Sequence, residues 1–220
     1  MQYKRVLSAN FGSTDRFFSF IVTIHGGGAL TVSWALQCII KKPFMKERLI
    51  IISDLWGRGK SGWLTNYTRI LEPEFDVLFY DSCELGQIDL SNYTQENLHK
   101  QFISGGIERA IDKLIESEKH KLNILAFSIG GTIAWKYGLK TDNIKSLVCV
   151  SSTRLRYETE RPKGNLELYF GQNDEYKPPV EWFEKMKLEY EILSEKGHQF
   201  YCESQFAEHL SKKIIRRHIT

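Results

Sequence analysis

Apolar positions along this chain follow two different patterns. Near the N-terminus, Phe17 to Ile24 and Leu30 to Leu36 alternate apolar residues with polar or small ones. That is the pattern of strands with one face on a core and the other in water. Gly26-Gly27-Gly28 lies between them, so the pair predicts a β-hairpin. Farther along, the apolar residues come in unbroken runs: Arg48–Ser53, Phe75–Tyr80, Leu122–Ala126, Ile144–Val150 and Leu166–Phe170. Continuous runs predict strands covered on both faces, as in a parallel sheet. Leu188–Leu193 reads as a last strand.

Helical spacing fills the gaps between these strands. A helix is expected from Ser61 or Gly62 to Leu71, and a long one over 95–118. On the long one, Ile103, Ile107, Ala110, Ile111, Leu114 and Ile115 share a face. Others follow Ser128 and cover Val180–Lys187 and Glu203–Arg217. Residues 1–16 show no pattern. A hairpin followed by strands alternating with helices predicts an α/β fold: a mostly parallel central sheet in three layers, as one domain over residues 1–220. Such sheets place their sites in loops beyond the carboxyl ends of the strands.

Composition narrows the function. A chain of 220 residues fills one domain, and a net charge of +3 gives no case for nucleic acid. Lys212, Lys213, Arg216 and Arg217 are expected to form the solvated basic face of the closing helix. The cysteines, at 38, 83, 149 and 202, have no metal-ligand spacing, and Cys38 and Cys149 sit in apolar runs. This predicts buried thiols in a reducing compartment, without metal or other cofactor. No apolar stretch reaches membrane-spanning length and the start lacks a signal design, so a cytoplasmic protein is expected, with no membrane partner.

Candidate chemistry centres on Ala126-Phe127-Ser128-Ile129-Gly130-Gly131, where a buried strand gives way to a helix. This is close to G-x-S-x-G, a turn so tight that its flanks must be small. It lifts the Ser128 hydroxyl above the sheet edge and aims the Ile129 amide at whatever the serine holds. Serine needs a base, the base needs an orienting acid, and the developing oxyanion needs donors. Asp174, in Gly171-Gln172-Asn173-Asp174, follows a buried strand; Glu175 is the neighbouring alternative. His198 follows Gly197 between the last strand and the last helix, whereas His99, His120, His209 and His218 fall on expected helix surfaces or ends. The chain order Ser, Asp, His is the one this fold requires. Two other glycine motifs fail on context. His25-Gly26-Gly27-Gly28 spells an oxyanion motif but lies between alternating strands, and Gly57-Arg58-Gly59-Lys60-Ser61 lacks the spacing of a phosphate loop.

At these residues the chain resembles the α/β-hydrolase superfamily over about residues 49–215, and within it the pimeloyl-carrier-protein methyl ester esterases. Ala126-Phe-Ser-Ile-Gly-Gly resembles their G-W-S-L-G-G, and Asp54-Leu-Trp-Gly their H-G-W-G oxyanion loop. The segment from Asp81 resembles D-L-P-G-F-G, while Gly171-Gln-Asn-Asp and Gly197-His198 resemble the acid and histidine loops. The resemblance implies Ser128 as nucleophile, His198 as base, Asp174 as its orienter, and the Trp56 and Ile129 amides as the oxyanion hole. It implies hydrolysis of a carboxylic ester or thioester through an acyl-enzyme. Acyl transfer, amide hydrolysis and a non-catalytic binding role are the alternatives. Two departures stand out. Asp54 puts a carboxylate where negative charge would develop, unless it pairs with Arg58 or a backbone amide. And only Ser151–Asn165 is available where the family carries a helical lid, so the site should be open. An open site would admit a small-molecule or carrier-bound acyl ester. Arg154, Arg156, Arg161 and Lys163 could then meet an acidic carrier, although an ordinary solvated loop is the plainer reading.

Overall fold

Residues 3–9, 18–24, 30–33 and 46–219 are described by a computed structural model. Its contacts divide the chain into two units, residues 1–45 and 46–220. In the first, β1 (Tyr3–Ala9), β2 (Phe18–Ile24) and β3 (Leu30–Ser33) form a three-stranded antiparallel sheet in that order. The expected hairpin is the β2–β3 pair, with Ile24 opposite Leu30. Its glycine connector, His25 and Cys38 lie outside the described residues. β1 comes from the stretch without a pattern, and pairs along β2 from Tyr3↔Ile24 to Ala9↔Phe18.

The second unit is built on six parallel strands in the order β5-β4-β6-β7-β8-β9. They are β4 (Glu47–Ile52), β5 (Phe75–Tyr80), β6 (Leu122–Phe127), β7 (Ile144–Val150), β8 (Asn165–Gly171) and β9 (Glu189–Leu193). Side chains alternate across a strand, so each apolar run feeds two cores. Ile50, Ile52, Ala126, Leu147 and Phe170 face one side, packed on α2 (Ser82–Leu85), α4 (Ile107–Ser117), α5 (Ile129–Thr141) and α6 (Val180–Met186). Leu49, Ile51, Phe127, Val148 and Tyr169 face the other, packed on α1 (Thr65–Leu71) and α7 (Ser204–Ile219). This is the three-layer α/β architecture expected from the runs.

Two expectations about helices need correction. The helix over 95–118 is two helices: α3 (Gln95–Gln101) and α4, separated by a wide turn at Phe102–Gly106. Gly105 sits there at φ +108°, a conformation that side chains resist. The break shifts the helical phase. Ile107, Ala110, Ile111 and Leu114 are buried, but Ile103 is 50% exposed. The basic face of α7 is not simply solvated either. Lys213 and Arg217 both pair with Glu167, a buried carboxylate on β8. Burying that charge is tolerable because two cations meet it.

Candidate active site

β6 is buried throughout and ends at Phe127, α5 starts at Ile129, and Ser128 alone lies between them. Ser128 makes the turn alone, at φ 49° and ψ −115°. For a residue with a side chain this costs about 1–3 kcal/mol and persists only where the surroundings enforce it. They do so on both flanks. The Ser128 amide donates to the Val150 carbonyl at 2.8 Å, tying the turn to β7. A Cβ on Gly130 would sit 2.3 Å from the Ser53 carbonyl oxygen, and one on Gly131 1.8 Å from Ser152 Oγ. The turn is thus wedged between the ends of β4 and β7, and only glycines fit. Gly130→Ala is expected to cost about 1–3 kcal/mol, because the obstacle is backbone and cannot rotate away. Urea unfolding checks this; an unchanged midpoint would mean the wedge is looser than its distances.

The three residues singled out by chain order meet here. Ser128 Oγ lies 3.0 Å from His198 Nε2, and His198 Nδ1 lies 2.7 Å from Asp174 Oδ2. A carboxylate against Nδ1 fixes the proton on that nitrogen, leaving the Nε2 lone pair to accept from the serine hydroxyl. Asp174 is 3% exposed, and its other oxygen takes the Tyr176 amide at 3.2 Å. Glu175, the alternative acid, is exposed. The acid and histidine loops are laced together where the Asn173 amide donates to the Lys196 carbonyl at 2.8 Å. Ser151, at the end of β7, donates its hydroxyl to the His198 carbonyl at 2.6 Å.

The loop after β4 differs from expectation. Asp54, 2% exposed, does not pair with Arg58. Its Oδ1 accepts the Trp56 amide at 2.9 Å and its Oδ2 accepts the Tyr201 hydroxyl at 2.9 Å. Arg58 instead gives its backbone N–H to Asp81 at 2.7 Å and lays its guanidinium over Phe79. The Trp56 amide, expected to face an oxyanion, is therefore spent on a carboxylate. The preceding amide, that of Leu55, meets no acceptor among the described residues. Ile129 is the first residue of α5, so its amide has no intrahelical acceptor.

Burial pushes the Asp54 carboxyl up, against the lowering effects of the Tyr201 hydroxyl, the Trp56 amide and His198. A carboxyl whose pKa is raised by folding supports the fold below its unfolded pKa and loses that support as pH rises through the folded value. At neutral pH its ionised form therefore works against folding. Asp54→Asn keeps an oxygen for Trp56 and gives Tyr201 an amide. It is expected to raise the urea midpoint at pH 7, with the gain shrinking as the pH falls toward about 4. A midpoint lowered equally at both pH values would show that the charge is needed for the loop's shape.

Above the serine lies a cavity of about 840 Å³ whose lining includes Leu55, Ile129, His99, Arg154 and Arg156. His99, expected on a solvated helix surface, lines it from α3. It stays exposed, as expected, and partial desolvation lowers its imidazole pKa, with Arg154 and Arg156 adding to the shift. Sequence reasoning also missed Tyr201 and Ser151, and allowed a backbone amide for Asp54 without identifying it as that of Trp56. Tyr201 and Ser151 act through single hydroxyls whose partners are set by the fold, and no spacing in the sequence announces them.

A family model described as the alpha/beta hydrolase fold matches residues 20–180. The chain belongs to the α/β-hydrolase family. Solved structures agree on the fold of this α/β hydrolase. One is a protein from Xanthomonas campestris described as a hydrolase of the alpha/beta superfamily, at TM-score 0.58 and 14% identity, covering 78% of this chain and 99% of that one. Another is Est1E from Butyrivibrio proteoclasticus with ferulic acid bound, at TM-score 0.57 and 12% identity, covering 81% and 90%. A third is alpha/beta hydrolase domain-containing protein 10 from mouse, at TM-score 0.56 and 10% identity, covering 96% of each. At such identities the likeness is one of fold. Comparison with curated proteins gives no match. No helix of the described residues is long and apolar enough to cross a membrane.

Proposed function

We propose that this α/β hydrolase cleaves a carboxylic ester or thioester through a covalent acyl-enzyme, with Ser128, His198 and Asp174 as its triad. The observation that carries the proposal is the unbroken chain of hydrogen bonds from the Ser128 hydroxyl through the imidazole to a buried carboxylate. Ser128 Oγ attacks the carbonyl carbon while Nε2 takes its proton. The tetrahedral oxyanion collapses, the bond to the leaving oxygen or sulfur breaks, and the imidazolium protonates the leaving group. Water then attacks the acyl-enzyme with His198 again as base, giving the free acid and restoring the serine.

The Ile129 amide, at the positive end of α5, is the primary oxyanion donor in this reading. The second is the Leu55 amide, since Trp56 is held by Asp54. Asp54 is in turn held by Tyr201, which packs edge-on to His198 with ring centroids 6.3 Å apart. The segment between β7 and β8 contains one short 3-10 turn, Thr153–Tyr157. An open site without a cap over that segment, as in the reading from sequence, fits this turn. Small acyl esters are its first substrates, in a cytoplasmic setting, and the kinship to methyl ester esterases in particular rests on the motifs quoted above.

Stopped-flow hydrolysis of para-nitrophenyl esters tests the reading. A burst of nitrophenol equal to the enzyme, followed by a slower steady rate, is expected of an acyl-enzyme. If added alcohols or amines divert the acyl group to new esters or amides in preference to water, the triad serves acyl transfer instead.

A further inference from the structure

The arginines on the cavity wall are in different states. Arg156 is engaged at both Nη atoms. Its Nη1 donates to the Thr153 carbonyl at 2.8 Å and the Tyr176 carbonyl at 3.3 Å, and its Nη2 to the Tyr157 hydroxyl at 2.7 Å. It also lies between the Tyr157 and Tyr176 rings, at 4.2 and 5.6 Å from their centroids. Arg156 therefore pins the β7–β8 turn to the acid loop. Arg154 lines the same cavity and has none of this. Among the described residues its contact is the Tyr157 ring, 5.3 Å from the guanidinium carbon. Its Nε is shut off from solvent without a hydrogen-bond partner, and no carboxylate among the described residues lies within ion-pair distance.

A guanidinium offers five donors in a planar fork that matches the oxygens of a carboxylate or phosphate. Nε itself is closed to an outside group, but the half-buried side chain has no protein acceptor at its Nη atoms among the described residues either, so an anion entering the cavity can meet those donors without displacing a protein partner. The cavity that holds Arg154 also holds Ser128. The other charged groups on its wall are Arg156, Asp174, which is engaged by His198, and Glu96 on α3, which pairs with neither arginine. His99 lines the same cavity and contributes a hydrogen-bonding group there.

We propose that the ester or thioester cleaved at Ser128 carries a second, anionic group away from the scissile carbonyl, and that Arg154 binds it. The substrate class is then an acyl ester ending in a carboxylate or a phosphate. This inference rests on the hydrolase reading given above. Arg154 is a binding residue here, Arg156 a positioning residue for the turn that presents it, and Glu96 a nearby charge that disfavours the anion.

The test compares mono-para-nitrophenyl adipate with para-nitrophenyl hexanoate, an uncharged ester of matched acyl length. A third ester ending in phosphate separates the two anions: the one with the higher kcat/KM names the group. The native chain is expected to favour a charged ester by about tenfold or more in kcat/KM, the scale of one charge-assisted pair. High salt should reduce the ratio. Arg154→Ala should bring it to about one, Arg154→Lys should keep part of it, and Glu96→Gln should raise it. If the native chain turns over the uncharged ester at least as well as both charged ones, or if Arg154→Ala and Arg154→Lys leave the ratio as it was, the inference is wrong and the hydrolase reading stands. If no ester is cleaved and Ser128 takes no fluorophosphonate, the hydrolase reading falls and this inference with it.

Discussion

Ser128→Ala is expected to lower kcat on an activated ester by about a millionfold, to near the rate left by binding alone. The size follows from how much converges on one oxygen. The hydroxyl is both the attacking atom and the group that Nε2 deprotonates at 3.0 Å, held out on a turn at φ 49°. Removing it eliminates the covalent route, and leaves a base and oxyanion donors around a substrate with nothing to attack it except water. The substitution removes one oxygen at a position whose backbone is already fixed by the Val150 carbonyl and two glycines, so the fold should be unaffected. Steady-state kinetics on protein purified without a contaminating esterase, beside an unfolding curve, checks both halves. A loss under a hundredfold would place the chemistry on another residue.

Asp174→Asn is the second large effect, about ten-thousandfold in kcat. The carboxylate does three things. It accepts the Nδ1 proton at 2.7 Å, fixes the ring through that bond, and stabilises the imidazolium formed as the serine loses its proton. An asparagine amide would present an N–H to Nδ1, moving the ring proton to Nε2 and turning the base away from Ser128. Its other contact, the Tyr176 amide at 3.2 Å, survives with the asparagine oxygen. The variant should therefore fold as the parent does and lose kcat while KM changes little. Glu175→Gln, on an exposed neighbour, should change neither. If the two variants behaved alike, Asp174 would not be the orienting acid.

How much of this could be read in the sequence depended on the kind of signal. Phe75–Tyr80 and Ile144–Val150 are strands with the bounds that their apolar runs suggest, because polar residues close each run, Glu74 and Asp81 for the first and Asn143 and Ser151 for the second, while the exposed Asp76 and Lys145 inside them do not interrupt the pairing. The positions of Ser128, Asp174 and His198 were legible for a related reason. In a parallel sheet the ends of successive strands meet at one edge, so order along the chain becomes proximity in space. The interrupted helix was not legible. Ile103 keeps helical spacing with Ile107, and nothing in the pattern records that Gly105 turns between them at φ +108°. The oxyanion loop was half legible. Asp54 was seen as a carboxylate in need of a partner, and a backbone amide was one of the partners considered. That the amide is that of Trp56, the one assigned to the oxyanion, depends on the loop's path. Tyr201, three residues past His198, supplies through its hydroxyl the second contact to the Asp54 carboxylate from 147 residues away in the chain, where sequence distance gives no guide. Arg154 and Arg156 have the same residue type and near-identical neighbourhoods in the chain, yet Arg156 donates to two carbonyls and a hydroxyl and Arg154 meets no acceptor among the described residues.

The most direct measurement is to treat the native protein with a fluorophosphonate and map the adduct by mass spectrometry of its peptides. The account predicts a single adduct, on Ser128, formed quickly at neutral pH, slowed strongly in His198→Ala and absent from Ser128→Ala. A folded protein that takes up no reagent, or takes it up at another residue, would contradict the claim that these three side chains form a working relay.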